Sequence, residues 1–204
     1  MKSDTTPGLE PRPTYAAKSP GLRTRLKSRA NGGRAYNRLV SHVLHRKDAP
    51  KSVRCFVLTI SDTRTAQDDP SGDAIVEALT TAGHQLTGRG LVRDDPPAVQ
   101  TVLQQQASST DAIIATGGTG ITARDSTYEA MTALFDKRLD GFGELFRMLS
   151  FEEVGSAAML SRACAGTIGR AVVFSLPGSR NAVKLAMAKL IVPELPHIVR
   201  ELNR

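Results

Sequence analysis

The sequence predicts an α/β domain, a mostly parallel sheet with helices on both faces, preceded by a basic extension. Three observations predict it. Short apolar runs at residues 53–60, 111–116 and 171–176 read as buried strands, since a parallel sheet covered on both faces needs apolar side chains at successive positions. Segments of helical period alternate with those runs. The charge is also divided. Residues 1–52 hold 12 Lys/Arg and 3 Asp/Glu, net +9, while residues 53–204 hold 15 and 17, net −2.

The charge step and the apolar content set the organisation: an extension over 1–50 and a domain over 51–204. Residues 1–33 are rich in Pro, Gly, Ser, Thr and Arg and hold few apolar side chains. Such a segment cannot offset its ordering entropy and reads as disordered. Residues 34–47 carry Tyr36, Leu39, Val40, Val43 and Leu44, a short amphipathic pattern. The Arg-rich composition is compatible with a transit peptide, an arm for anionic surfaces or a solvated extension.

After Pro50 each element has its own signal. Residues 53–60 form the first strand. Residues 71–82 place Ile75, Val76, Leu79 and Ala82 at helical spacing, and Gly83 stands where a helix-ending glycine belongs. Residues 86–92 are a weaker strand. Pro96 and Pro97 open a helix bearing Val99, Val102, Leu103 and Ala107. The strand 111–116 follows, then helices over 128–135 and 144–153, the strand 171–176, and a helix over 181–192 that Pro193 ends.

Composition excludes several function classes. The basic excess belongs to the extension, so the domain is not read as a nucleic-acid binder. Aromatic residues are 4% with no Trp, too few for a base-stacking platform. No apolar run approaches the roughly 20 residues of a membrane span, and the N-terminus lacks a signal-peptide core. Two cysteines, Cys55 and Cys164, make neither a disulfide framework nor a zinc site, which points to a reducing cytoplasm.

In an open α/β sheet, ligands bind beyond the carboxyl ends of the strands. The segments there are Ser61-Asp62-Thr63-Arg64-Thr65, Arg93-Asp94-Asp95, Thr116-Gly117-Gly118-Thr119-Gly120 with Arg124-Asp125, and Pro177-Gly178-Ser179-Arg180-Asn181. All four should converge on one edge. Glycines let successive N–H groups turn toward one anion, and threonine hydroxyls add donors. The loop is neither a Walker loop nor G-x-G-x-x-G. Pro177-Gly178-Ser179 leads into a helix N-terminus, a favourable place for phosphate. Asp94 and Asp125, with Asp62 and Asp95 nearby, are hard oxygen donors suited to Mg2+ held jointly with substrate phosphates. Each acid has a competing structural role: Asp125 as the cap of the helix near Thr127, and Asp94 or Asp95 as the cap after the proline pair. Arg124 is a candidate phosphate clamp. Ser161 has no triad partner at recognisable spacing and is not read as a nucleophile. The four histidines are scattered, and Cys55 is read as core.

Together, Thr59-Ile60-Ser61-Asp62-Thr63-Arg64, 116–120, Arg124-Asp125, Gly141-Phe142-Gly143-Glu144-Leu145-Phe146-Arg147, Leu160-Ser161-Arg162-Ala163 and Leu176-Pro177-Gly178-Ser179 resemble the MoaB/MogA molybdopterin-binding family of molybdenum cofactor biosynthesis. The resemblance covers about 53–200, and residues 146–155 are closer to MoaB than to MogA. It implies an α/β/α sandwich and Mg2+-dependent adenylylation of molybdopterin by ATP, with diphosphate released. It implies Asp94 and Asp125 as the essential acids, metal ligands or substrate orienters. Gly117, Gly118, Thr119 and Gly120 would cradle phosphate, with Ser61, Asp62, Thr116 and Arg124 among the substrate-binding residues. Ser161 and Arg162 fall in the pterin-side segment, and Pro177, Gly178 and Ser179 shape the phosphate end. A homotrimer or homohexamer is implied too. The alternative is a non-catalytic molybdopterin- or nucleotide-binding protein of the same pathway.

Overall fold

A computed structural model describes residues 49–122 and 125–204. Nearly all of the basic extension, its amphipathic segment and Arg124 lie outside the described residues.

The chain runs β1 (Arg54–Ile60), α1 (Pro70–Thr81), β2 (Gln85–Val92), α2 (Pro96–Ala107), β3 (Ala112–Thr116) and α3 (Thr127–Thr132). It continues through β4 (Lys137–Arg138), α4 (Asp140–Val154), a 3-10 segment (Gly155–Leu160), β5 (Cys164–Ile168), β6 (Ala171–Leu176) and α5 (Arg180–Ala186). A wide π turn (Met187–Ile191) joins α5 to α6 (Val192–Leu202). The six strands form one sheet in the order β2-β1-β3-β6-β5-β4. β2, β1, β3 and β6 are mutually parallel, while β5 and β4 are antiparallel additions.

The uniform apolarity of the central strands has the expected cause. On one face Cys55, Val57, Ile114 and Phe174 pack with Ile75, Leu79, Phe146, Val183 and Ile191 from α1, α4, α5 and the π turn. On the other, Phe56, Leu58, Ile113 and Val173 pack with Val99, Leu103 and Met131 from α2 and α3. Both faces are covered, so the architecture is the expected α/β/α sandwich with a mostly parallel sheet.

Three departures from the sequence reading have local causes. β4 and β5 were not predicted as strands. β4 has two residues, and β5 is built of small side chains whose Gly166 lies against the Phe135 ring, where a Cβ would collide. The helix over 144–153 begins earlier, at Asp140. Pro193 does not end the last helix. The π turn just before it changes the hydrogen-bond register, and Pro193 then falls in the first turn of α6, where its missing N–H costs little.

This topology fixes where a ligand can bind. β1 connects outward to β2, whereas β3 lies on the opposite side of β1. The direction of winding reverses between β1 and β3, and a crevice opens at their carboxyl ends.

Candidate functional site

A cleft of about 460 Å3 lies at that switch point. Ten residues expected from the sequence border it: Ser61, Thr116, Gly117, Gly118, Thr119, Gly120, Asp125, Ser161, Pro177 and Gly178. Of the four loops expected to converge, those after β1, β3 and β6 do, while Arg93-Asp94-Asp95 after β2 does not border the cleft.

Backbone constraints shape its floor. Gly117 has φ +110 and Gly118 φ +62, conformations that side chains resist. A Cβ on Gly117 would fall on the Ile60 carbonyl oxygen, and one on Gly118 would fall on Thr127 Oγ1. Gly117 N–H donates to Leu176 O (3.0 Å) and Thr116 Oγ1 to Pro177 O (3.0 Å), which ties the end of β3 to that of β6. Gly178 O accepts from Ser71 Oγ (2.8 Å) and Arg64 Nη2 (3.3 Å).

The two acids approach this loop from behind and from its end. Asp94 does not line the cleft. Its Oδ1 accepts from the buried Thr127 Oγ1 (2.9 Å), its Oδ2 lies 2.7 Å from the place a Gly118 Cβ would take, and its N–H donates to Asp62 Oδ1 (3.3 Å). The capping role belongs to Asp95, which accepts from Ala98 N (3.1 Å). Asp125 is not a cap either: Ser126 occupies the capping position of α3, and Asp125 accepts from Thr122 N (2.9 Å) and Thr122 Oγ1.

Three expected residues sit elsewhere. Ser179 caps α5, accepting from Ala182 N (3.3 Å). Asp62 serves Asp94, as above. Arg162 borders a second cavity of about 530 Å3 that shares Ser161 with the cleft, together with Tyr128, Arg138, Arg147 and Cys164. Arg162 donates to Asp125 O (2.7 Å) and to Glu129, and stacks 5.2 Å from the Tyr128 ring centre.

The sequence reading missed the support under the cleft. Asp69, 2% exposed, accepts from Thr59 Oγ1, Gly72 N (2.9 Å) and Arg89 Nη2 (2.6 Å), while Arg89 also holds Asp73 (2.6 Å). Burial would raise the Asp69 carboxyl, but these hydrogen bonds and the Arg89 charge hold it below the usual carboxylate range. The only signal in the sequence was an acid just before the Pro70 helix start, which reads as an ordinary cap.

Among the described residues no cysteine or histidine borders the cleft. Burial pushes Cys55 up to about 12 and Cys164 up to about 11, and neither described histidine borders the cleft. Among the described residues no group of three or more His, Cys, Asp or Glu forms a ligand cage. Two hard carboxylates beside an anion-binding loop do fit the other mode, in which a metal ion is shared with substrate phosphates.

Residues 56–197 match the sequence model of a family described as a probable molybdopterin binding domain. The chain belongs to this family. It is 55% identical over 163 residues to molybdenum cofactor biosynthesis protein B of Bacillus cereus, a match spanning 78% of this chain and 96% of that protein. The crystal structure of a molybdenum cofactor biosynthesis protein B superposes with TM-score 0.74 at 55% identity, covering 77% of this chain and 99% of that one. The tungsten cofactor synthesizing protein MoaB from Pyrococcus furiosus superposes with TM-score 0.69 at 42% identity, covering 76% and 100%. Membership places the chain among the molybdenum cofactor biosynthesis proteins, on the MoaB side of the family. Among the described residues no helix is long and apolar enough to cross a membrane.

Proposed function

We propose that the chain is a molybdopterin adenylyltransferase. The terminal phosphate of molybdopterin attacks the α-phosphorus of ATP, the bond to the bridging oxygen breaks, and diphosphate leaves with adenylyl-molybdopterin as the product. The observation that carries this reading is the convergence of three strand ends on a left-handed glycine pair flanked by two carboxylates. The nucleophile is on the substrate, so the protein needs neither a reactive thiol nor a serine triad. Its contribution is positioning and charge stabilisation.

In this reading the end of the loop, residues 118–120, holds phosphate oxygens through backbone N–H groups and the Thr119 hydroxyl, while Gly117 N–H stays on Leu176 O. Asp125 at the cleft and Asp94 behind the glycine pair would hold Mg2+, which would supply neutralisation of charge on the phosphates. Thr127 and Thr122 fix the orientation of those two carboxylates. Ser161 joins the cleft to the Arg162 cavity, so two ligands can meet across it.

The test is diphosphate release from ATP by the full chain. Release should require both molybdopterin and Mg2+, and Asp125→Ala should lower it by at least a hundredfold. Full activity in that variant removes Asp125 from the mechanism. Saturable molybdopterin binding with no product supports the non-catalytic alternative.

We also propose a homo-oligomer, a trimer or hexamer. α4 and the following turn leave Leu145, Met148, Phe151 and Met159 exposed, Phe151 at 60% and Met159 at 77%. Exposed apolar side chains grouped in this way mark an association surface. Light scattering should give a multiple of the 21.9 kDa chain mass, reduced by Phe151→Glu. A monomeric wild-type chain overturns it.

A further inference from the structure

We propose that Arg64 is the cation that binds the polyphosphate of the nucleotide, and that Asp69 positions it from beneath the cleft. The inference rests on the nucleotide-binding reading above and adds a residue to it.

The first argument is charge. The nucleotide brings several negative charges to a domain of net −2. Among the described residues that border the cleft, Arg64 is the one cation, and Asp125 adds a negative charge of its own. Backbone N–H groups carry only partial charges, so a full positive charge close by changes the balance.

The second argument is how Arg64 is held. Ser61 Oγ accepts from Thr63 N (3.2 Å) and Arg64 N (3.1 Å), closing a turn directly after β1. That turn brings Arg64 back to the cleft. Its Nη2 donates to Gly178 O (3.3 Å), and its Nη1 lies 3.7 Å from Asp69 Oδ1, beyond a hydrogen bond. Asp69 already takes close hydrogen bonds from Thr59, Gly72 and Arg89. It orients Arg64 without fully engaging it. A guanidinium has five N–H donors in a planar fork, and the hydrogen bonds described for the Arg64 side chain use one of them. The side chain is 28% exposed. A partly exposed, pre-oriented guanidinium with unused donors suits bidentate binding of phosphate oxygens.

The third argument is chemical class. A carboxylate ligand could use the same fork, but it has no use for the adjoining glycine pair at Gly117 and Gly118. The combination favours a chain of phosphates with several oxygens to bind.

The experiment is calorimetric titration of the full chain with inorganic tripolyphosphate in the presence of Mg2+, for wild type, Arg64→Gln and Arg64→Lys, with thermal midpoints measured in parallel. Arg64→Gln should weaken tripolyphosphate roughly ten- to a hundredfold, the range for losing one charge-assisted hydrogen bond at a retained fold. Arg64→Lys, which keeps the charge and loses the fork, should fall between. In turnover, KM for ATP should rise more than kcat falls. If wild type binds and both variants bind equally well, the assignment of Arg64 is overturned while the nucleotide-site reading stands. If wild type binds no tripolyphosphate, both fall. If Arg64→Gln also loses its midpoint, Arg64→Lys decides: unchanged binding there overturns the fork.

Discussion

Replacing Gly118 by alanine tests the construction of the glycine loop after β3. Gly118 has φ +62, where an L-residue pays about 1–2 kcal/mol. The added Cβ would also fall on Thr127 Oγ1 and lie 2.7 Å from Asp94 Oδ2. Thr127 is fully buried, so its hydroxyl can yield only by turning away from Asp94 and giving up the 2.9 Å hydrogen bond. A hydrogen bond to a charged group contributes about 1.5–3 kcal/mol. The two costs together come to about 2.5–5 kcal/mol, which lowers the melting temperature of a domain this size by roughly 10 °C. Thr127→Val serves as the comparison. It keeps the branched shape, removes only the donor, and should cost about 2 kcal/mol. The assay is thermal unfolding of the full chain followed by circular dichroism. Gly118→Ala melting within about 2 °C of wild type, or Thr127→Val proving the more damaging variant, would refute the assigned clash.

Two further predictions concern pH. The Asp69 carboxyl sits below its usual range, so its contribution is present above about pH 4 and is lost as pH falls through the lower folded value. Asp69→Asn should cost about 3 kcal/mol at pH 7, because it leaves Arg89 half-paired, and should blunt the acid transition seen in urea titrations. Equal stability of variant and wild type at pH 7 would count against this network. His84 is 7% exposed, neither ring nitrogen has a hydrogen-bond partner among the described residues, and burial lowers its pKa. Below about pH 6.5 the unfolded chain takes up a proton that the folded imidazole resists, so stability declines as pH falls. His84→Phe should flatten that decline between pH 6.5 and 5, and an unchanged slope would show that His84 does not cause it.

What could be read from the sequence follows from how each residue encodes its role. β1, β3 and β6 were legible because burial on both faces leaves no polar position to interrupt them. β5 was not, because Cys164, Ala165 and Gly166 are small side chains of little strand preference, and Gly166 is held to glycine by the Phe135 ring. Gly117 and Gly118 stood out because paired glycines directly after a strand serve either a tight turn or an anion nest, and their positive φ angles fit both uses. The surroundings of Asp94 and Asp125 were not. An acid before a helix has the same local signature whether it caps or is held by a threonine far away, and Thr127 is 33 residues from Asp94. Arg64 and Asp69 were hidden for a related reason. Their relation depends on Arg89 of β2, which pairs with β1 only in the folded sheet.

Among the described residues the cleft carries one cation, Arg64, and that sparseness is consistent with the proposed adenylyl transfer. In the proposed reaction one anion attacks another, so a cleft lined with many lysines and arginines would bind both ground states tightly without favouring the step between them. Interactions that strengthen only as charge moves toward the departing diphosphate accelerate the reaction, and these must be oriented in advance. The described groups have that character. Gly117 is fixed through Leu176, Thr116 through Pro177, Asp94 through Thr127, and Arg64 through Ser61, Gly178 and Asp69. The supports come from the carboxyl ends of β1 and β6 and from the starts of the helices beside them, so the sheet's switch point both forms the cleft and holds its polar groups in place. In the proposed reaction a domain of net −2 handles phosphate chains when its dipoles and a well-held guanidinium such as Arg64 stand where negative charge will develop.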